Sequence, residues 1–420
     1  MAGVGGTKME HDYIQQLFAD RIGGVQFGLS EKIYKFEKIK RTKRDAMLAN
    51  PKLELIDLGV GEPDAMADEF VVKELANEAS KRENRMYADN GILDFKIAAA
   101  TYMKEVFAVE DLNPETEINH VIGSKSALAM IPTAFINPGD ITIMPIPNYP
   151  ILETHTKYLG GEVVHLPLLA ENAFLPKLDS LNKSVLKKAK LLYLNYPNNP
   201  TGAIATREFF MEVVQFAKES ELIVIHDAAY AALVFDDERP ISFLSIPGAK
   251  EVGIELHSLS KSFNMTGWRI GFVAGNEKLV HAIATVKDQY DSGQFIPIQK
   301  AAALALLHPE ITEQITAKYS RRHERLSQIL RECGFDAEKP KGTFFIYTKI
   351  PKAVVNGPKF HSAEEFSQYL LKEHLISTVP WDDVGSYVRL SVTFQANSLI
   401  DEQQVLEEIR ARLNRSTFIF

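Results

Sequence analysis

From Leu55 onward, apolar residues form short runs, and stretches with a helical spacing of apolar residues separate these runs. Short runs that end beside Gly, Pro, Asn or Asp predict β-strands. Strands that alternate with helices are typical of a mostly parallel sheet covered by helices on both faces. The pattern therefore predicts an α/β fold, with strands at 141–144, 162–165, 190–195, 222–226, 253–257 and 270–274 and with helices that include 126–136 and 208–218.

The pattern changes near residue 300, where a helix at 299–307 follows Pro297 and a long charged helix is predicted at 310–332. After it we expect a smaller α+β segment, with strands at 343–347 and 387–392 and helices at 363–373 and 401–413. The first fifty residues lack strong periodicity and predict an arm that packs on another part of the protein. The expected division is an arm and part of a small domain at 1–54, a large domain at 55–300 and a C-terminal small domain at 301–420.

Composition narrows the class of protein. The 420 residues are 45% hydrophobic and 24% charged, which is ordinary for a globular enzyme, and the net charge of -8 argues against a nucleic-acid partner. The basic clusters at 38–44 and 321–325 are interrupted and predict solvated helix faces. The single cysteine, Cys333, excludes an intrachain disulfide. With no secretory signal at the N-terminus and no apolar stretch of ~20 residues, we expect a cytoplasmic protein without a membrane segment.

Common phosphate and metal signatures are missing from the sequence. It contains no G-x-x-x-x-G-K-[ST], and Asp64 stands where the third glycine of a dinucleotide fingerprint beginning at Gly59 would belong. It also contains no H-E-x-x-H and no paired C-x-x-C, so no metal site is predicted.

The strongest chemical signal is the string at 258–271, Ser-Leu-Ser-Lys-Ser-Phe-Asn-Met-Thr-Gly-Trp-Arg-Ile-Gly. It follows a predicted strand, and open α/β sheets bind ligands at the carboxyl ends of their strands. Lys261 and Arg269 bring an amine and a guanidinium to the same crevice, which suits a phosphorylated aldehyde. A surface lysine after a strand is the simpler alternative for Lys261 alone.

Two further strings follow apolar strands. At 195–202 the sequence Asn-Tyr-Pro-Asn-Asn-Pro-Thr-Gly predicts a sharp turn that directs Asn199 toward the sheet edge. At 222–230 a buried strand ends in Asp227, with Tyr230 three residues later. Asp227 is either a helix N-cap or a functional carboxylate, and its spacing to Tyr230 and Lys261 favours the second.

The three strings together resemble class I/II aminotransferases of fold type I, and the lysine string matches their signature at every constrained position. The resemblance implies pyridoxal 5'-phosphate as cofactor, held by Lys261 as a Schiff base, with Lys261 also acting as general acid and base. It implies that Asn199 and Tyr230 contact the cofactor's phenolic oxygen and that Asp227 pairs with its pyridinium nitrogen. An ionised carboxylate there keeps the ring protonated and able to accept electrons.

The same resemblance implies the remaining cofactor contacts. Tyr149 corresponds to the aromatic residue that stacks on the pyridine ring, although a turn-packing tyrosine is an alternative. Tyr87 corresponds to the tyrosine that reaches the phosphate of the neighbouring subunit, which implies a homodimer with shared active sites. The phosphate ligands implied within the chain are Ser124, Lys125, Ser258 and Arg269.

Arg389 lies inside an apolar strand and predicts a buried anionic partner, because an unpaired buried charge is costly. An arginine on an edge strand that points to solvent is the alternative. In the family this partner is the substrate α-carboxylate, bound bidentately, and Gly61 lets the backbone approach the same carboxylate.

From about residue 13 to 413 the chain resembles the LL-diaminopimelate aminotransferases, through segments 56–64, 87–91 and 291–295. This implies amino transfer between LL-diaminopimelate and 2-oxoglutarate, giving tetrahydrodipicolinate and glutamate on the route to lysine and peptidoglycan. Segment 286–291 lacks the second arginine of aspartate-type enzymes, and we hypothesise that Asp288 or Asp291 binds the distal ammonium; solvated loop charges are the alternative. An aspartate, alanine or aromatic aminotransferase, or a fold-type I lyase or decarboxylase, remains open, whereas the short arm excludes a DNA-binding regulator.

Overall fold

The computed structural model describes residues 13–29, 35–51 and 53–420, and for 35–40 it describes the backbone alone. The first twelve residues of the predicted arm therefore lie outside the described residues. The α-helices are α1 (Lys35–Ala49), α2 (Glu69–Ala79), α3 (Leu93–Phe107), α4 (Ser124–Phe135), α5 (Ile151–Tyr158), α6 (Lys183–Leu186), α7 (Arg207–Ser220), α8 (Ala249–Val252), α9 (Leu259–Ser262), α10 (Glu277–Lys287), α11 (Ile296–Leu306), α12 (Glu310–Glu332), α13 (Ala363–His374) and α14 (Leu399–Leu413).

The strands belong to a large sheet, a small sheet and two short pairs. Their bounds are β1 (Ile56–Asp57), β2 (Ile118–Val121), β3 (Ile141–Ile146), β4 (Glu162–Pro167), β5 (Ala189–Asn195), β6 (Ile223–Asp227), β7 (Gly253–Ser258), β8 (Gly271–Gly275), β9 (Phe345–Lys349), β10 (Ala353–Val354), β11 (Ile376–Ser377), β12 (Val379–Trp381), β13 (Tyr387–Ser391) and β14 (Phe418–Ile419).

The large sheet has seven strands in the order β2-β8-β7-β6-β5-β3-β4. Strands β3 to β7 pair in parallel, and β8 is antiparallel to both of its neighbours. Successive residues of a strand point to opposite faces: Leu192 and Leu194 pack in the larger apolar cluster, Leu191 and Tyr193 in a second one. The prediction of a mostly parallel sheet with both faces covered is confirmed.

A second, smaller sheet is built from the C-terminal part of the chain. It has the antiparallel order β12-β13-β9, and the helices α12, α13 and α14 lie in the same part of the sequence. Strand β1 pairs in parallel with β11, which ties the chain before the large sheet to this region. The predicted domain bounds at 54 and 300 stay predictions.

Residues 35–49 of the expected arm form the fifteen-residue helix α1. The helix is strongly polar, so its narrow apolar face leaves little periodicity in the sequence. Ala46 on that face packs with Leu371 and Leu375, and Lys43 Nζ donates to Asp57 Oδ2 at 2.6 Å. In the part of the chain that the structure describes, no helix is long and apolar enough to cross a membrane.

Candidate active site

A cleft of about 550 Å³ opens at the carboxyl ends of the central strands, where β5 ends at Asn195, β6 at Asp227 and β7 at Ser258. This is the edge of an open α/β sheet at which ligands bind, and the volume is typical of a small-molecule site. Eleven of the twelve predicted site residues line it, namely Gly61, Ser124, Lys125, Tyr149, Asn199, Asp227, Tyr230, Ser258, Lys261, Arg269 and Arg389.

Lys261 lies on the short helix α9 directly after β7, and its Nζ donates to the Gly61 carbonyl at 2.5 Å. Burial, together with the cations Arg269 and Arg389 and against the opposing charge of Glu62, lowers the pKa of its ammonium to about 8. The surface-lysine alternative is therefore wrong. A buried amine with this pKa is a nucleophile and a base near neutral pH.

Asp227 is the last residue of β6, and the chain continues in turns rather than in a helix, so the N-cap alternative is wrong. Its carboxylate accepts hydrogen bonds from Ala229 N at 3.2 Å and from Tyr193 Oη at 3.1 Å. Burial raises the pKa of the carboxyl, and no described basic side chain forms an ion pair with it. The site thus holds a buried carboxylate that a cationic ligand group would stabilise.

An anion-binding corner lies where α4 begins. Arg269 Nη1 donates to Thr266 O at 2.8 Å and to Ser260 Oγ at 3.3 Å, which fixes the guanidinium beside Gly123. Gly123 has φ +75°, and a Cβ there would lie 2.4 Å from Arg269 Nη2. Backbone amides at a helix N-terminus next to an arginine are a site for phosphate. Ser124 and Lys125, the first residues of α4, also line the cleft here.

Arg389 lies on β13, the middle strand of the small sheet, so the edge-strand alternative is wrong. It is only 5% exposed; Nη1 donates to Asn199 Oδ1 at 2.8 Å and Nη2 to Gly59 O at 3.0 Å, while Nε has no partner. The guanidinium also stacks over the Phe345 ring at 4.0 Å. These partners are neutral, and burial lowers the pKa of the guanidinium to about 10. A buried cation with only neutral partners is suited to an anionic ligand.

Two tyrosines complete the cleft wall. Tyr230 is buried, and its ring makes edge contacts with Phe344 and Phe345. Burial raises its hydroxyl pKa well above the usual range, so the hydroxyl stays a hydrogen-bond donor. Tyr149 is half-buried against the second apolar cluster while lining the cleft, so it packs in a turn and faces the ligand space at once.

Tyr87 is the predicted residue that the structure leaves outside this cleft. Its side chain is 84% exposed, and the adjacent Ala88 forms a bridge with Gly293. Asp291 Oδ1, from the same region, accepts from Lys287 Nζ at 2.5 Å. Its carboxylate is thus neutralised within the chain.

Asp288 Oδ1 accepts from Asn90 Nδ2 at 2.7 Å, and neither this carboxylate nor that of Asp291 lines the cleft. The hypothesis that Asp288 or Asp291 binds the distal ammonium stays a prediction. Both are engaged in bonds that hold the 89–91 and 287–293 segments together.

Several residues of the site were not predicted. Asn195 and Phe345 line the cleft, and the Tyr193 hydroxyl, which lies outside it, donates a hydrogen bond to Asp227. For Tyr193 and Asn195 the signal was present, because residues two apart on a strand share a face. The approach of Phe345 depends on the small sheet meeting the large one, which no local pattern indicates. Among the described residues, no cluster of His, Cys, Asp or Glu is suited to a metal ion.

Comparison with known proteins gives one family and many full-length relatives. The family model for aminotransferase class I and II matches residues 54–406. An LL-diaminopimelate aminotransferase of Methanococcus maripaludis is 57% identical over 97% of this chain and 99% of its own length. One of Methanocaldococcus jannaschii is 58% identical over 96% and 97%, respectively.

Solved structures agree on the fold. Substrate-bound BacF from Bacillus subtilis superposes with a TM-score of 0.84 at 33% identity and covers 94% of this chain and 97% of its own. The aspartate aminotransferase of Rhizobium meliloti gives a TM-score of 0.83 at 25% identity, over 95% of this chain and 99% of its own.

Proposed function

The chain belongs to the class I and II aminotransferases, and on that premise we propose that it transfers an amino group between LL-diaminopimelate and 2-oxoglutarate with pyridoxal 5'-phosphate as cofactor. The observation that carries the reaction type is the convergence of Lys261, Asp227 and Arg389 in one cleft. The donor follows from relatives of that name, which match nearly the whole chain at 57% and 58% identity.

The residues present fit this cofactor. Gly123 leaves the space that Arg269 needs beside the start of α4, and together they suit the phosphate. The buried Asp227 carboxylate, which has no cation of its own among the described residues, suits the protonated ring nitrogen. The remaining contacts that we assign are Ser124, Lys125 and Ser258 to the phosphate, Tyr149 to the ring face, and Asn199 and Tyr230 to the phenolic oxygen.

Each step of the reaction then falls to a residue of this chain. Arg389 binds the substrate α-carboxylate through its guanidinium, and Gly61, where a Cβ would lie 3.2 Å from Phe345, keeps the backbone close to that carboxylate. The Lys261 amine would take the proton from the substrate α-carbon and, as the protonated ammonium, would return it to complete the transfer. Bound pyridoxal phosphate would supply an electron-accepting ring, and Asp227 would hold the nitrogen of that ring in its protonated form.

The pKa of Lys261 gives a pH prediction. Burial disfavours the ammonium, so the amine is neutral above a pKa of about 8 rather than above its usual value of 10.5. The rate at which the apo chain forms its covalent bond with added pyridoxal phosphate should rise with pH and level off above about 8. Stopped-flow absorbance across pH 6–10 measures it, and a midpoint near 10 would contradict the lowered pKa.

Gly123→Ala should weaken cofactor binding about 10- to 100-fold. The new Cβ displaces the Arg269 guanidinium, and the backbone there, with φ +75° and ψ 156°, lies in a region that only glycine adopts without strain. The measurement is the dissociation constant of pyridoxal phosphate for the apo chain. Gly139→Ala is the matched control, because Gly139 also has positive φ, at +86°, but no atom within 4 Å of its added Cβ. Equal affinities of the two variants for pyridoxal phosphate would contradict the assignment of the phosphate to the site beside Gly123 and Arg269.

We assign the exposed apolar side chains of two adjacent segments to the interface of a homodimer. Met86 and Tyr87 on one segment and Tyr290 and Phe295 on the other are 49–84% exposed. In the proposed dimer Tyr87 reaches the phosphate of the neighbouring subunit. Sedimentation velocity tests this arrangement, since one chain has a mass of 47.1 kDa and the dimer twice that.

The donor is tested by a panel of amino acids with 2-oxoglutarate, including the LL and meso isomers of diaminopimelate. We expect LL-diaminopimelate to give the highest kcat/KM, with glutamate as product. Equal or better turnover of aspartate, alanine or an aromatic donor would contradict the assigned donor. Release of ammonia or carbon dioxide in place of glutamate would indicate a lyase or a decarboxylase.

A further inference from the structure

The hydroxyl of Tyr193 contacts the Asp227 carboxylate, which the proposed function pairs with the cofactor's ring nitrogen. The side chain is fully buried on β5, within the second apolar cluster. A buried tyrosine hydroxyl needs a partner. Here the partner is Asp227 Oδ2, at 3.1 Å.

The sheet register explains how the two side chains meet. On the parallel pair β5–β6, Tyr193 lies opposite Ile225 and Asn195 lies opposite Asp227. Tyr193 and Asp227 are therefore diagonal neighbours on the same face, at a separation that a long aromatic side chain spans. Asn195 Nδ2 donates to the Asp227 carbonyl at 2.8 Å and fixes the backbone beside them. The hydroxyl thus reaches the carboxylate from the sheet side and leaves the cleft side open.

The hydrogen bond also opposes the effect of burial on the carboxyl. Burial raises the pKa of Asp227, whereas the hydrogen bond from Tyr193 lowers it, as does the one from Ala229 N. Burial raises the pKa of Tyr193 well above its usual range, so this hydroxyl donates throughout the working range of the enzyme. Without it, Oδ2 would have no protein donor among the described residues.

We propose that Tyr193 is a positioning residue, which orients the Asp227 carboxylate toward the cofactor's ring nitrogen and keeps it in the form that pairs with a protonated ring. This inference rests on the proposed function, because it presumes pyridoxal phosphate in the cleft. Tyr193 itself lies behind Asp227, does not line the cleft and touches neither substrate nor cofactor.

The test compares two ligands that differ at the ring nitrogen alone: pyridoxal phosphate and its 1-deaza analogue, in which C–H replaces that nitrogen. Tyr193→Phe should weaken binding of pyridoxal phosphate to the apo chain by about ten-fold or more, the loss of a hydrogen bond to a charged group. Affinity for the deaza analogue should change less than about two-fold, because that ligand presents no proton to Asp227. A purely structural role of Tyr193 would lower both affinities together.

Tyr196→Phe is the matched control. Tyr196 is also a fully buried tyrosine, but its hydroxyl donates to Phe174 O at 2.7 Å, away from Asp227. This variant should keep the preference for pyridoxal phosphate over the deaza analogue. A second measurement uses the Asp227→Asn chain, in which adding Tyr193→Phe should leave the affinity for pyridoxal phosphate unchanged within about two-fold.

The outcomes separate the inference from the proposed function. If the unmodified chain shows no preference for pyridoxal phosphate over the deaza analogue, the assigned role of Asp227 fails and this inference with it. If the unmodified chain shows the preference and Tyr193→Phe retains it in full, the role of Asp227 stands and that of Tyr193 is overturned. An equal loss for both ligands, or an additive loss in the Asp227→Asn chain, overturns it as well.

Discussion

Lys261→Ala is expected to lower kcat/KM for transamination by about 10⁴-fold or more. One side chain supplies both the covalent attachment and the proton transfers, and general acid–base catalysis alone contributes up to about 10⁴-fold. No other lysine replaces it, because Lys125, the other lysine that lines the cleft, lies at the start of α4 rather than after β7. Steady-state formation of glutamate from 2-oxoglutarate measures the loss.

The variant should still bind the cofactor without a covalent bond, since the phosphate corner and Asp227 are untouched. Borohydride reduction followed by mass spectrometry should therefore attach pyridoxal phosphate to the unmodified chain and not to Lys261→Ala. A small primary amine added to the solution should restore part of the rate, because it enters the vacated space and accepts the α-proton. Lys250→Ala is the control, since Lys250 pairs with Glu117 outside the cleft. Activity retained in Lys261→Ala would refute the assigned base.

Five strands of the large sheet, β3 and β5 to β8, were predictable because they are almost wholly buried. Such strands appear in the sequence as continuous apolar runs, and the functional side chains follow directly where the runs end. The lysine string at 258–271 is continuous in sequence and connects the end of β7 to the start of β8, so its chemistry was contained in one local pattern. Helix α12 was predicted at its observed bounds, Glu310–Glu332.

Strand β2 was not predicted, because its polar residues find partners far away in sequence. His120 Nε2 pairs with Gln294 Oε1 at 2.8 Å, and Asn119 Nδ2 donates to Asn90 Oδ1 at 2.8 Å. Two polar residues in a run of four give no strand signal unless these partners are known. The hydrogen bond from Asn119 to Asn90 also attaches the segment that contains Tyr87 to β2.

The ion pair of Asp291 with Lys287 was only partly foreseeable. The two residues are four apart in sequence, but helix α10 ends at Lys287 and Asp291 lies beyond it, so the spacing rule for helices does not apply. The burial of Lys287, at 1% exposure, was not foreseeable, and it is what commits the carboxylate to the lysine. A role of Asp288 or Asp291 at the distal end of the substrate stays a prediction.

Arg389→Lys is expected to lower kcat/KM for amino-acid donors by roughly 10²- to 10³-fold, chiefly through KM. A lysine keeps the positive charge but loses the planar fork that binds a carboxylate with two hydrogen bonds. Breaking a buried, hydrogen-bonded charge pair of this kind costs about 2–5 kcal/mol. Single-turnover absorbance with each donor separates binding from chemistry. Arg410→Lys, which alters a surface pair with Glu407, is the control.

A comparison of amino donors with and without an α-carboxylate shows through which contact Arg389→Lys acts. Arg389 also donates to Asn199 Oδ1, so its loss has a second route to activity through the cofactor's phenolic oxygen. An amine substrate without a carboxylate cannot bind Arg389 through an α-carboxylate, so it reports only the effect through Asn199. If Arg389 acts by binding the α-carboxylate, Arg389→Lys leaves the slow reaction of such an amine unchanged within about three-fold while the amino-acid donors lose roughly 10²-fold or more. An equal loss for both kinds of donor would place the effect on Asn199 and remove Arg389 from the substrate site.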